Sequence, residues 1–184
     1  DDKTPNAYEE AWDIIDTDAT SATGSPTVIN GSGGGNGMWI YTSPSMGGAT
    51  LTVAYRNHVS AAAESMTDFA IAVSPEGIDG LTVGAAISNN TIGTNLDSDE
   101  STFYATYATG GFTFGMQASD LDHTTATSDQ ESIAYGITYA VNDDMSIGYS
   151  YHELETELTT DEDQESTGIS ASYTMGGMTL AGAM

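Results

Sequence analysis

The chain has no cysteine, which excludes a disulfide framework and any thiolate-based metal or redox site. It has almost no positive charge: 2 Lys plus Arg stand against 27 Asp plus Glu in 184 residues, a formal charge of −25. A chain so acidic repels a phosphodiester backbone, so nucleic acid is excluded as a partner. No apolar run reaches the roughly 18 residues of a transmembrane helix, an absence that says nothing against a membrane-crossing β-barrel. Residue 1 is Asp and no basic, then apolar, leader precedes it. The expectation is either a removed signal peptide or a beginning inside a longer protein. Acidity of this degree also suits a solvated surface or a disordered tail. Disorder, however, would not sustain the alternation that follows.

Gln130 to Leu154 shows the pattern most clearly. Ile133, Tyr135, Ile137 and Tyr139 alternate with Ala134, Gly136, Thr138 and Ala140. After a turn, Met145, Ile147, Tyr149 and Tyr151 alternate with Ser146, Gly148, Ser150 and His152. A period of two means two strands. A soluble sheet buries its apolar face and covers the other with Lys, Glu and Arg. Here the second face is Gly, Ala, Ser and Thr. An apolar, aromatic face suited to lipid, opposite a small uncharged face suited to water, is the signature of a transmembrane antiparallel β-barrel.

The first 37 residues differ from the rest. Thr4 and Pro5 suit an N-cap and first helical position, and Tyr8, Ala11, Trp12 and Ile15 follow helical spacing. Glu9, Asp13 and Asp16 form a second stripe, so a short amphipathic helix displaying carboxylates is expected, followed by a polar tail and a glycine-rich linker, residues 31–37. The run GSGGGNG precedes a strand, whereas a phosphate loop follows one and opens a helix, so it reads as that linker.

From Met38 onward, alternation and turn residues predict about ten strands. They fall at 38–43, 49–57, 67–74, 80–88, 100–109, 111–119, 130–141, 145–153, 166–175 and 178–184. Tight connections alternate with longer acidic segments, His58 to Met66, Asn89 to Asp99, Asp120 to Asp129 and Leu154 to Glu165. Short turns at one rim and long loops at the other are what an outer-membrane barrel shows. Small inward residues cannot fill a narrow barrel, so they imply a wide, wet lumen of about 16 strands, of which this chain would be an internal part.

The segment DDKTPNAYEEAW, followed by hairpins such as TYATGGFTFGMQASD, AYGITYAVNDDMSIGYSYHE and ISASYTMGGMTLAGAM, resembles the Gram-negative general diffusion porins, in particular the alphaproteobacterial type. The resemblance covers essentially the whole chain. It implies a homotrimer of barrels with about 16 strands each in the outer membrane, passing small hydrophilic solutes. It further implies that residues 1 to about 30 are a constriction loop folded into the lumen, with Glu9, Glu10, Asp13, Asp16 and Asp18 as eyelet acids. Family members face such acids with a basic wall; here only Arg56 and Lys3 are available. Either that wall lies in strands outside this chain, or the pore favours cations. A terminal aromatic residue, usual in the family, has no counterpart at Met184.

The remaining features weigh less. Asp97, Asp99 and Glu100, Asn142 to Asp144, and Asp161 to Glu165 could bind Ca2+ loosely, but none has the EF-hand spacing. His58, His123 and His152 lack a zinc-ligand spacing. No nucleophile elbow or comparable motif points to catalysis, so no enzyme is expected. The competing class is a secreted or surface-layer acidic β-rich protein, adhesin-like and calcium-associated, whose Ile/Tyr/Phe faces would be buried against a second sheet.

Overall fold

The computed structural model describes residues 38–56, 65–92, 96–124, 129–156 and 162–183. They form ten strands: β1 (Met38–Thr42), β2 (Ala49–Arg56), β3 (Ser65–Val73), β4 (Leu81–Ile92), β5 (Leu96–Thr109), β6 (Phe112–His123), β7 (Gln130–Asn142), β8 (Met145–Thr156), β9 (Glu162–Met175) and β10 (Met178–Ala183). Every strand pairs antiparallel with its sequence neighbours, giving one sheet in the order β1 to β10. At β5–β6, β7–β8 and β9–β10 the connection is two residues long, which allows only antiparallel neighbours. At β5–β6 the turn is Gly110–Gly111 with φ of 56° and 83°. Two successive positive φ values make the primed turn that matches strand twist, and glycine adopts them without penalty. At β7–β8 the turn is Asx-like, with Asp144 N–H donating to Asn142 Oδ1 at 2.9 Å.

The ten strands agree in number and order with the sequence reading, but their ends do not. β4 runs to Ile92, β5 starts at Leu96, β6 reaches His123, β8 reaches Thr156 and β9 starts at Glu162. Most of the acidic residues assigned above to long loops therefore belong to strands. Asn and Asp are poor strand formers, which hid these extensions. What holds them is the ladder, which continues through Asn89↔Asp99, Asp120↔Glu131 and Glu155↔Asp163. The predicted N-terminal helix lies outside the described residues.

Burial sorts the two faces in the reverse of a soluble sheet. On β6 and β7 the buried positions are Gly115, Gln117, Ser119, Ser132, Ala134 and Gly136, while Phe114, Met116, Ile133 and Tyr135 are exposed. The same holds along the sheet: Thr102, Thr106, Ser150 and Ser170 are buried, whereas Phe69, Ile71, Phe103, Tyr149, Ile169 and Tyr173 are exposed. A second sheet covering the aromatic face, as the adhesin-like alternative requires, is absent among the described residues. With its large apolar side chains outward, the sheet needs a hydrocarbon solvent on that side. Rings are adjacent there: Phe112 and Tyr139 stack at 4.4 Å, and Tyr135 and Tyr151 at 4.9 Å.

The polar side is held by cross-strand hydroxyl pairs. Thr102 and Ser119 lie 2.8 Å apart, Ser146 and Ser172 2.7 Å, and Thr174 and Thr179 3.0 Å. Such pairs satisfy side-chain polar groups within the wall and contribute roughly 0.2–1 kcal/mol each. At the sheet margins β1 and β10 each have, among the described residues, a neighbour on one side only, and both expose large apolar side chains, Trp39 and Leu180 among them.

Candidate functional site

The candidate site is the inner, polar wall. Its side chains are fixed by register: the direct partners Gly84, Tyr104, Gln117, Ala134, His152 and Ser166 form one row from β4 to β9. A neighbouring row runs Ala86, Thr102, Ser119, Ser132, Leu154 and Gln164. Gln117 Nε2 donates to Ser119 Oγ at 3.2 Å, which links the two rows. Tyr104 and Gln117 are each 3% exposed and His152 only 1%. Tyr104 is the only Phe, Tyr or Trp on this face among the described residues, and it lies against Gly84, where a Cβ would overlap its ring. The wall is thus mostly small residues and hydroxyls, with Gln117, His152 and Leu154 packed flat in it and the Tyr104 ring lying against the backbone.

Charge on this wall is sparse. Arg56, expected from the sequence as a basic pore residue, lies on the inner face at the long-loop end of β2, half-buried. Its charge acts on Asp68, which sits on the adjacent β3 and is 1% exposed. Ser88 on β4 donates its hydroxyl to Asp68 Oδ1. Ser88 pairs in turn with Glu100 on β5, so Asp68, Ser88 and Glu100 form a row across three strands. A buried carboxylate is stable only when paired or hydrogen-bonded; Arg56 and Ser88 supply part of that compensation, and among the described residues Asp68 Oδ2 is left without a hydrogen bond. The sequence reading passed over Asp68 and weighed Glu100 only as a loop acid for calcium. Their signal was parity: each falls on the small-residue side of an alternating strand.

Most of the acidic side chains among the described residues lie elsewhere. Asp97 and Asp99 on β5, Asp120 and Asp122 on β6, Glu131 on β7, Glu153 and Glu155 on β8, and Asp163 and Glu165 on β9 share the parity of the aromatic face. They form an acidic band beyond the apolar belt, toward the long-loop rim. Tyr151 marks the boundary, donating its hydroxyl to Glu153 Oε2 at 2.9 Å. The remaining sequence-predicted site residues, Glu9, Glu10, Asp13, Asp16, Asp18 and Lys3, lie outside the described residues. Among the described residues no group of three or more His, Cys, Asp or Glu is placed to hold a metal ion.

A wall of this kind, apolar outward and hydroxylated inward, has counterparts among solved structures. The fold is similar to that of OmpT of Vibrio cholerae expressed in the outer membrane, with a TM-score of 0.64 at 18% identity over 79% of this chain and 52% of that one. It is also similar to the in-vitro folded trimer form of the same protein, with a TM-score of 0.69 at 15% identity over 99% of this chain and 63% of that one. Identities this low show the fold alone. The chain spans between half and two thirds of the length of these chains. No curated protein sequence matches it significantly. The model of the Gram-negative porins, by contrast, matches residues 2–184, and with nearly its whole length inside that match, the chain belongs to the Gram-negative porin family and is a protein of the outer membrane.

Proposed function

We propose that this chain forms ten strands of a larger, trimeric barrel of the alphaproteobacterial general-diffusion type, which passes small hydrophilic solutes passively. The observation that carries the reading is the inverted burial: hydroxyls and small residues on the inner face, rings and aliphatics outward. Three further points support the fragment reading. The sheet margins β1 and β10 are unpaired among the described residues. Neither bears the Lys or Pro with which natural edge strands resist further pairing. The chain also spans only 63% of the similar trimer-form chain. Further strands, to about 16 in all, would close the wall.

The pore favours cations in this reading, and the acids that set its field are Glu9, Glu10, Asp13, Asp16 and Asp18 in a constriction loop, opposed by Lys3 and Arg56. The inner wall alone would not do it. Among the described side chains it carries Asp68 and Glu100 against Arg56. The overall charge of −25 is therefore a poor guide to pore selectivity, because among the described residues the acids on the outer face outnumber those on the inner wall. Planar-bilayer recording of the intact protein under a salt gradient tests the reading. A reversal potential of cation-selective sign, reduced when Glu9, Asp13 and Asp16 are all changed to the amides, supports it. Anion preference, or no conductance from a folded detergent-solubilised protein, overturns it.

A further inference from the structure

The outward face of β5 to β8 contains a hollow that the channel function leaves unused. Phe103, Ala118 and Ile133 are direct cross-strand partners, and the short Ala118 between two large side chains leaves a gap. The hollow has a volume of about 570 Å3. One step toward the long-loop rim the cross-strand row is Ser101, Asp120, Glu131 and Glu155, and Glu153 stands opposite Ile133. All of these line the same hollow. Thr102, Ser119 and Ser132 line it between the strands, so the hollow is hydrocarbon where Phe103, Ala118 and Ile133 meet and carboxylate at its rim.

Like charges directly opposite each other on neighbouring strands are destabilising, and Asp120, Glu131 and Glu155 are such a row. Nothing on the described chain relieves them: its one Lys or Arg there is Arg56, on the other face. Glu155, beyond the apolar belt and outside the membrane-crossing part of β8, has its carboxyl pushed up, first by Asp163 and then by desolvation, Glu153 and Glu131. An occupant complementary to this site brings an alkyl chain for the floor and a positive charge for the rim. Anionic lipid meets like charge, and a soluble polar partner has no use for a floor of Phe103 and Ile133.

We propose that this hollow seats one amine-headed membrane amphiphile, its chain against Phe103, Ala118 and Ile133 and its ammonium head among Asp120, Glu131, Glu153 and Glu155. The seat rests on the outer-membrane reading of the outward face but not on ion selectivity. An ammonium donates up to three hydrogen bonds, enough to bridge carboxylates on neighbouring strands.

The test is native mass spectrometry of the full-length protein in a neutral maltoside detergent, with dodecylammonium as the probe and dodecyl sulfate and dodecanol as comparisons. One dodecylammonium should stay bound in preference to either comparison. The double variant Glu131→Gln/Glu153→Gln should weaken retention about tenfold or more, equivalent to roughly 1.4 kcal/mol. Ala118→Leu, which fills the hollow with an outward apolar group, should do the same. Glu76→Gln, which removes a charge at the tight-turn rim, should change nothing. Equal retention of dodecyl sulfate, or indifference to both hollow variants, overturns the proposal. So does retention of dodecyl phosphate in the presence of Ca2+ without retention of dodecylammonium, which would assign the rim to a cation-bridged anionic lipid. Single-channel conductance of the same preparations is read alongside, so loss of the seat in a conducting pore is distinct from failure of the pore.

Discussion

The Tyr104 ring lies against Gly84 on the next strand so closely that a side chain at position 84 would have to displace it. The pair lets an aromatic side chain occupy the polar wall without projecting from it, since the space beside it is backbone rather than side chain. Both residues are buried, and their partners Ala72 and Gln117 continue the row on either side.

Gly84→Val should therefore destabilise the wall by about 1–3 kcal/mol through overpacking. The shift is read from urea unfolding of protein refolded into detergent. Adding Tyr104→Ala to that variant should recover part of the loss, because the clash is between those two groups. Equal loss in the single and double variants would show that the contact is not what makes glycine necessary.

Height along the outward face predicts opposite responses to charge. Tyr149 is exposed in the apolar belt, while its neighbour Ser150 is buried on the inner wall. Arginine at an outward site near the bilayer midplane costs about 2–4 kcal/mol. Tyr149→Arg should lower folding yield in lipid vesicles to that extent, whereas Glu153→Arg, in the acidic band, should be tolerated.

Tyr135 and Tyr151 are cross-strand partners as well as stacked rings. A double-mutant cycle with leucine at each position should give a coupling of about 0.5–1.5 kcal/mol. The measurement is denaturant unfolding of the two single variants, the double variant and the parent chain.

Selectivity should respond to inner but not outer acids. Glu100 faces the inner wall, and Glu153 faces outward at the end of the apolar belt. Glu100→Gln should move the reversal potential toward anions, and Glu153→Gln should leave it unchanged, since the wall and its low-dielectric surroundings separate that charge from the ion path. The recording is a bilayer experiment at low salt, where screening is least.

Acidification should relieve the outer band. The Glu155 carboxyl, raised from 4.5 by Asp163 and the nearby Glu153 and Glu131, ionises at lower pH in the unfolded chain than in the folded one. Its ionisation therefore disfavours the fold fully above the raised folded value. The penalty falls as pH drops through that value and is gone below 4.5. Glu155→Gln should raise the apparent melting temperature at neutral pH and make no difference below 4.5. A benefit that persists in acid would point to a cause other than charge.

The sequence by itself determined the periodicity, the tight turns and which residues share a face. A period of two is set by the pleat, so Ile133, Tyr135 and Ile137 had to lie opposite Ala134 and Gly136 wherever the strand went. Glycine pairs such as Gly110–Gly111 fixed the hairpin turns for an equally local reason, their positive φ. What only the tertiary structure decided is non-local. Cross-strand register carried β5, β6, β8 and β9 into acidic segments that propensity assigns to loops. It set Ser88 between Asp68 and Glu100, brought Arg56 within range of Asp68, and aligned Asp120 with Glu131 and Glu155. Composition counts charges without regard to face, and only the paired, curved sheet separates the few that line the inner wall from the many that face outward.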